Sequence, residues 1–104
     1  MSTQGFRMQL KPGCAAEYLR RHDALWPDLA DALREAGIYD YSIFLDEQTL
    51  HLFAAFKLRG EDRGEELARQ PVMRRWWDYM ADLMETEADK RPRVWPLAPM
   101  FHFD

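Results

Sequence analysis

One cysteine in 104 residues, Cys14, excludes an internal disulfide, and no group of Cys and His has the spacing of a zinc site. A chain without cross-links suits a reducing, cytoplasmic setting. No apolar run approaches the ~20 residues that span a bilayer, so no membrane partner is expected. The start, Met1-Ser2-Thr3-Gln4-Gly5-Phe6, lacks a basic stretch followed by an apolar one, so no signal peptide is expected either. Lys and Arg number 14 against 18 Asp and Glu and are scattered among them. That excludes the basic face needed for a nucleic-acid backbone. There is no glycine-rich phosphate loop, no Ser or Cys in a nucleophile motif, and no acid pair that stands out as a glycosidase dyad. Phosphoryl and acyl transfer do not fit; proton transfer on a neutral polar substrate does.

What the chain has in quantity is aromatic rings. Four Trp and six Phe are many for this length, and with 47% hydrophobic residues the chain lies far from the composition of disorder. Residues 1–104 make one compact domain. A domain this small buries a modest fraction of its surface, which leaves a place for a partner subunit.

Phe6, Met8 and Leu10 alternate with Arg7, Gln9 and Lys11, the period-two pattern of a strand that ends at Pro12-Gly13. Between Cys14 and Ala36 the apolar positions Ala15, Tyr18, Leu19, Leu25, Trp26, Leu29, Ala32 and Leu33 follow helical spacing. Pro27 should kink or restart this helix, because it lacks an N–H and clashes with the preceding turn. Gly37 supplies the stop. Strands follow over 39–46 and 50–58, joined by Glu47-Gln48-Thr49 in a hairpin. Alternation puts Tyr39, Tyr41, Ile43 and Leu45 on one face and Phe44 on the other; Leu50, Leu52, Ala54, Phe56 and Leu58 are opposed by Phe53 and Ala55. Apolar groups on both faces predict a sheet with helices on one side and a second subunit on the other. Pro71 begins the second part of a later helical segment, whose stripe is Val72, Met73, Trp76, Trp77, Met80, Leu83 and Met84. Trp95, Leu97, Phe101 and Phe103 share parity in a last strand whose Pro96 and Pro99 suit only an edge or an irregular start. The order is β-α-β-β-α-β, an α+β chain with the ferredoxin-like arrangement of an antiparallel sheet.

His22 is the candidate for chemistry. In a helix, Tyr18 lies one turn before it on the same face, and Leu25 and Trp26 one turn after. Imidazole both gives and takes protons near neutral pH. From position alone, a core histidine satisfied by backbone or Tyr18 is the commoner case; His51 and His102 show no helical pairing with it that would suggest a metal. The third reading is general acid/base catalysis in a pocket lined by Tyr18, Tyr41 and Trp residues. Trp76 and Trp77 point about 100° apart on a helix, so one should pack inward while the other covers a cavity or interface. Asp23, Asp28, Asp31 and Glu35 read as a solvated face, and Cys14 as structural.

The segments Phe6-Arg7-Met8-Gln9-Leu10, Glu17-Tyr18-x-Arg20-Arg21-His22 with Trp26-Pro27-x-Leu29, Tyr41-Ser42-Ile43-Phe44-Leu45-Asp46 and Arg75-Trp76-Trp77-Asp78-Tyr79-Met80 resemble the L-rhamnose mutarotase family. The resemblance runs from about residue 6 to the C-terminus, with 91–96 departing from the pattern. It implies a homodimeric, cofactor-free enzyme that interconverts the α and β anomers of L-rhamnose, built as a dimeric α/β barrel. It implies that His22 is the proton donor and that Tyr18, Tyr41, Trp76 and Trp77 bind the sugar. Small dimeric domains of this shape also act as cofactor-free monooxygenases or haem-handling proteins, and a non-catalytic sugar-binding module is a further alternative.

Overall fold

The computed structural model describes residues 2–104. Strand β1 (Ser2–Gln9) leads into helices α1 (Ala15–Asp23) and α2 (Pro27–Glu35), then the hairpin of β2 (Ile38–Leu45) and β3 (His51–Leu58). Helices α3 (Gly64–Arg69) and α4 (Pro71–Met80) follow, then a 3₁₀ turn (Ala81–Leu83) and a two-residue strand β4 (Trp95–Pro96). Each expected helical region is thus a pair of helices split at a proline. Pro27 and Pro71 both open the second helix of their pair, where the missing N–H is one the helix end would leave unpaired anyway.

The four strands form one antiparallel sheet in the order β2-β3-β1-β4. One face carries Met8, Leu52, Ala54 and Leu58, which with Leu10 pack against Tyr18, Leu29, Ala32, Met73, Trp76 and Met80 of the helices. No side chain with a polar or charged head group other than Tyr18 and Trp76 lies in this core among the described residues. Gly37 joins α2 to β2 with φ +85°, and its carbonyl accepts a hydrogen bond from the Arg59 amide at 2.8 Å. A Cβ there would run into the Arg59 carbonyl oxygen, so the position requires glycine.

Two expectations are corrected. Tyr39 and Tyr41 do not share a face. Tyr39 pairs with Lys57 and Ser42 with Ala55, so β2 carries one residue more than β3 over this stretch. Asp40 absorbs the extra residue with φ +50°, a left-handed conformation that Asp tolerates better than most side chains. The bulge inverts the parity of β2. Ile38 faces the core beside Leu58, Tyr39 turns outward under the Arg59 guanidinium at 4.2 Å, and Ile43 and Leu45 return to the core face.

The last strand is also shorter than its pattern suggests. Only Trp95 and Pro96 pair with β1, extended by one bond from the Leu97 amide to the Gly5 carbonyl at 3.1 Å. Pro96 and Pro99 each lack the donor that a longer ladder would need. Residues 98–104 have no regular structure, and Phe101 and Phe103 are each 84% exposed. On the outer face of the sheet Phe44 lies opposite Phe53, and the Arg7 guanidinium sits 4.2 Å over the Trp95 ring. Among the described residues no helix is long and apolar enough to cross a membrane.

Candidate functional site

A cavity of about 680 Å³ opens between the inner face of the sheet and the helices. Tyr18, His22, Tyr41, Trp76 and Trp77 all line it. Its volume falls in the range typical of small-molecule sites, and its wall is mostly Leu, Ile, Met and Ala.

His22 stands in the last turn of α1, where Pro27 prevents the helix from continuing. Its Nδ1 lies 3.0 Å from the Tyr18 carbonyl oxygen. A carbonyl oxygen can only accept, so Nδ1 carries the proton and donates. In the neutral ring this leaves Nε2 with a free lone pair. The Tyr18 ring lies 4.4 Å from the imidazole, and Trp76 meets it edge-on at 5.3 Å. Burial among these groups pushes the His22 pKa below its usual value of 6.5, opposed by the hydrogen bond to Tyr18 and by the nearby Asp23 carboxylate.

Tyr18 is 9% exposed, and burial pushes its phenol well above the ordinary tyrosine value, with Tyr41 adding to the effect. Tyr41 sits in the β2 bulge, stacked on Phe56 at 5.3 Å and edge-on to Phe6 at 6.4 Å. Burial raises its pKa in the same direction. Both phenols therefore stay protonated near neutral pH and can donate or accept hydrogen bonds without serving as bases.

The two tryptophans divide as their 100° separation requires. Trp76 is buried and contacts Trp26 at 5.1 Å as well as His22. Trp77 is half-buried, lines the cavity, and has the Arg74 and Arg91 guanidinium groups at 5.6 and 5.2 Å from its ring. Three residues beyond the five candidates join this cluster. Trp26 is the residue before α2 with extended backbone, not a member of the His22 helix, and it reaches Trp76 from there. Tyr79 stacks on Trp26 at 5.4 Å, and Arg21 lies 4.4 Å over Tyr79. The Tyr79 and Arg21 positions carried a readable signal, since they follow Trp76 by three residues and Glu17 by four.

Glu47 is the one acidic side chain among those lining the cavity. It lies in the turn between β2 and β3. Asp23, Asp28, Asp31 and Glu35 are exposed, as a solvated face requires. Among the described residues no cluster of three His, Cys, Asp or Glu side chains could hold a metal ion.

Comparison with known proteins gives one family. A model of the family described as L-rhamnose mutarotase matches residues 3–103. An L-rhamnose mutarotase of Burkholderia cenocepacia (strain HI2424) is 60% identical over 104 residues, covering all of both chains. One from Jannaschia sp. (strain CCS1) is 50% identical over 102 residues, 98% of each. The crystal structure of an L-rhamnose mutarotase from Formosa agariphila superposes with a TM-score of 0.93 at 38% identity, again over the whole of both chains.

The different burial of the two tryptophans is measurable. Trp76→Ala should cost about 3–5 kcal/mol, the range for removing a large buried aromatic. Trp77→Ala should cost clearly less, because its ring is only half-buried. Urea unfolding of the two variants checks the order, and equal losses would contradict the placement.

Proposed function

The chain belongs to the L-rhamnose mutarotase family, and we propose that it interconverts the α and β anomers of L-rhamnopyranose with His22 as the group that carries the proton. The activity is that of an aldose isomerase. The observation that carries the assignment to His22 is the Nδ1 bond to the Tyr18 carbonyl in the wall of a cavity that all five candidate residues line. The mutarotase names borne by the relatives give the monooxygenase and haem-handling alternatives no support.

The reaction moves one proton between two oxygens on the same carbon. Nε2 of neutral His22 takes the proton of the anomeric hydroxyl, and that O–H electron pair becomes the π bond of the aldehyde. The C1–O5 pair leaves with the ring oxygen, which receives the proton back from the imidazolium. His22 is therefore the donor to the ring oxygen, as the family resemblance implies, but it begins as a base. Rotation about C1–C2 turns the other carbonyl face to the O5 hydroxyl, and the same steps in reverse close the ring. The isomerisation has no net redox change, and its proton inventory closes on one side chain, so no cofactor is needed. Tyr18 and Tyr41 hold the sugar hydroxyls as neutral hydrogen-bonding groups. Trp76 and Trp77 offer aromatic surface to the C–H-rich side of the ring.

The same reading makes the protein a cytoplasmic homodimer, a ferredoxin-like domain completed to a dimeric α/β barrel. Phe44, 68% exposed, and Phe53 supply support as an apolar pair on the uncovered sheet face. Sheets that are apolar on both sides need both covered.

Three measurements test this reading. Saturation-transfer NMR on L-rhamnose should show accelerated anomer exchange with the wild-type protein. In folded His22→Ala, exchange should fall about 10²–10⁴-fold, the usual contribution of positioned proton transfer; unchanged exchange would remove His22 from the mechanism. The pH profile tests the starting protonation state. With His22 beginning as the neutral base, exchange rises as pH climbs through its lowered pKa, below 6.5, and is level at neutral pH. A profile that falls over that range would mean that the imidazolium starts the reaction. Sedimentation should give a dimer for the wild type and a monomer for Phe44→Glu, and a monomeric wild type would sink the dimer.

A further inference from the structure

The Arg21 guanidinium joins α1 to the end of α4 through more contacts than a surface pair makes. Its side chain is 11% exposed. Nε donates to Glu17 Oε2 at 2.7 Å, Nη1 to Asp82 Oδ1 at 2.9 Å and to the Tyr79 carbonyl at 2.6 Å, and Nη2 to Asp82 Oδ2 at 3.4 Å. The Tyr79 carbonyl belongs to the last turn of α4, where helical acceptors run out of partners. The guanidinium plane also covers the Tyr79 ring at 4.4 Å. That planar fork and stacked face are properties lysine does not share.

Tyr79 is the first ring of a connected set. It stacks on Trp26 at 5.4 Å and leans on Trp76 at 5.8 Å, Trp26 meets Trp76 edge-on at 5.1 Å, and Trp76 meets His22 edge-on at 5.3 Å. Trp76 thus has one side committed to Trp26 and Tyr79 and another to the imidazole. Its position depends on Tyr79 staying where Arg21 holds it.

We propose that Arg21 is a positioning residue for His22: by clamping Tyr79 at the end of α4 it holds Trp76 edge-on to the imidazole and so sets the direction of Nε2 toward the sugar. The catalytic part of this inference rests on the reading of His22 given above; the structural link between Arg21 and the imidazole does not. A displacement of about 1 Å at a reacting group is enough to cost on the order of 10²-fold in rate. Arg21 is not among the residues that line the cavity, so it acts through the rings and not on substrate.

The test combines kinetics with a signal that needs no substrate. The imidazole C–H resonances of His22, assigned by their loss in His22→Asn, carry the ring-current shift of Trp76. In Arg21→Gln and in Tyr79→Leu those resonances should move toward unshifted positions. The maximal exchange rate on L-rhamnose should fall about 10–100-fold while KM changes by less than about threefold. Arg21→Lys should behave like Arg21→Gln, since charge alone does not restore the fork. Tyr79→Leu removes the intermediate ring at a surface position and leaves Arg21 in place, so it reports even where an Arg21 variant does not fold. Wild-type His22 resonances in folded Tyr79→Leu or Arg21→Gln would overturn the proposal. So would a loss that appears in KM alone, or full activity in Arg21→Lys. If His22→Ala keeps its exchange activity, the catalytic reading fails separately, and the resonance shifts still decide whether Arg21 positions the ring.

Discussion

A single hydrogen bond from His22 Nδ1 to the Tyr18 carbonyl sets the conditions for everything else in the cavity. An imidazole enclosed by Tyr18, Trp76 and aliphatic side chains needs a partner for each polar atom that water cannot reach. The carbonyl one turn back satisfies Nδ1 and in doing so assigns the tautomer. Nε2 is then the remaining polar atom of the ring, with a lone pair in its neutral form. Burial favours that neutral form by lowering the pKa. The same helix therefore supplies the ring, its orientation and its protonation state, and it ends immediately afterwards because Pro27 must begin a new one.

Much of this arrangement was legible in the chain. The period-two pattern located β2 and β3 to within a residue, although β1 begins four residues before the alternation at Phe6, and the two prolines marked where each helical region divides. Tyr18 and His22 came together because helical spacing is a local property, and Trp76 joined them because it lies on the inward stripe of the other helical region. The failures have a common physical origin in single residues that change the period. Alternation carried through Asp40 puts Tyr39 and Tyr41 side by side, whereas one left-handed residue sends them to opposite faces. Trp26 looked like the next turn of the His22 helix, yet its extended backbone belongs to the start of α2. Arg21 read as one of many scattered charges, since its partners Tyr79 and Asp82 are about sixty residues away. The Phe101 and Phe103 parity was real in sequence but had no ladder to join once Pro96 and Pro99 removed donors.

The β2 bulge shows how a small irregularity serves the cavity. Without it, Tyr41 would occupy the ordinary pleat between its neighbours. The extra residue seats it against Phe56 and Phe6 while its ring still lines the cavity across from Tyr18. Lys57 pairs with Asp40 at 3.1 Å on the exposed side, so the strained position is tied down without placing a charge near the imidazole. Glu17, Arg20, Arg21 and Asp82 likewise pair with one another, and the Arg21 guanidinium lies over the Tyr79 ring.

That separation suits the chemistry assigned to His22. Opening a pyranose ring moves a proton from one oxygen of C1 to the other, so a single nitrogen can reach both ends of the transfer. A second titrating group would add charge to a poorly hydrated wall and would have to be neutralised there. The phenols of Tyr18 and Tyr41 avoid that cost, since burial holds them protonated and limits them to hydrogen bonding. The absence of an acid pair in the sequence and the single imidazole in the cavity are then two aspects of one design. Because the uncatalysed reaction already proceeds in water, about 10²–10⁴-fold from one well-aimed base is a sufficient task for a domain of 104 residues. What such a domain must supply is the aim, and here the imidazole is held by the Nδ1 bond to the Tyr18 carbonyl and packed edge-on against Trp76.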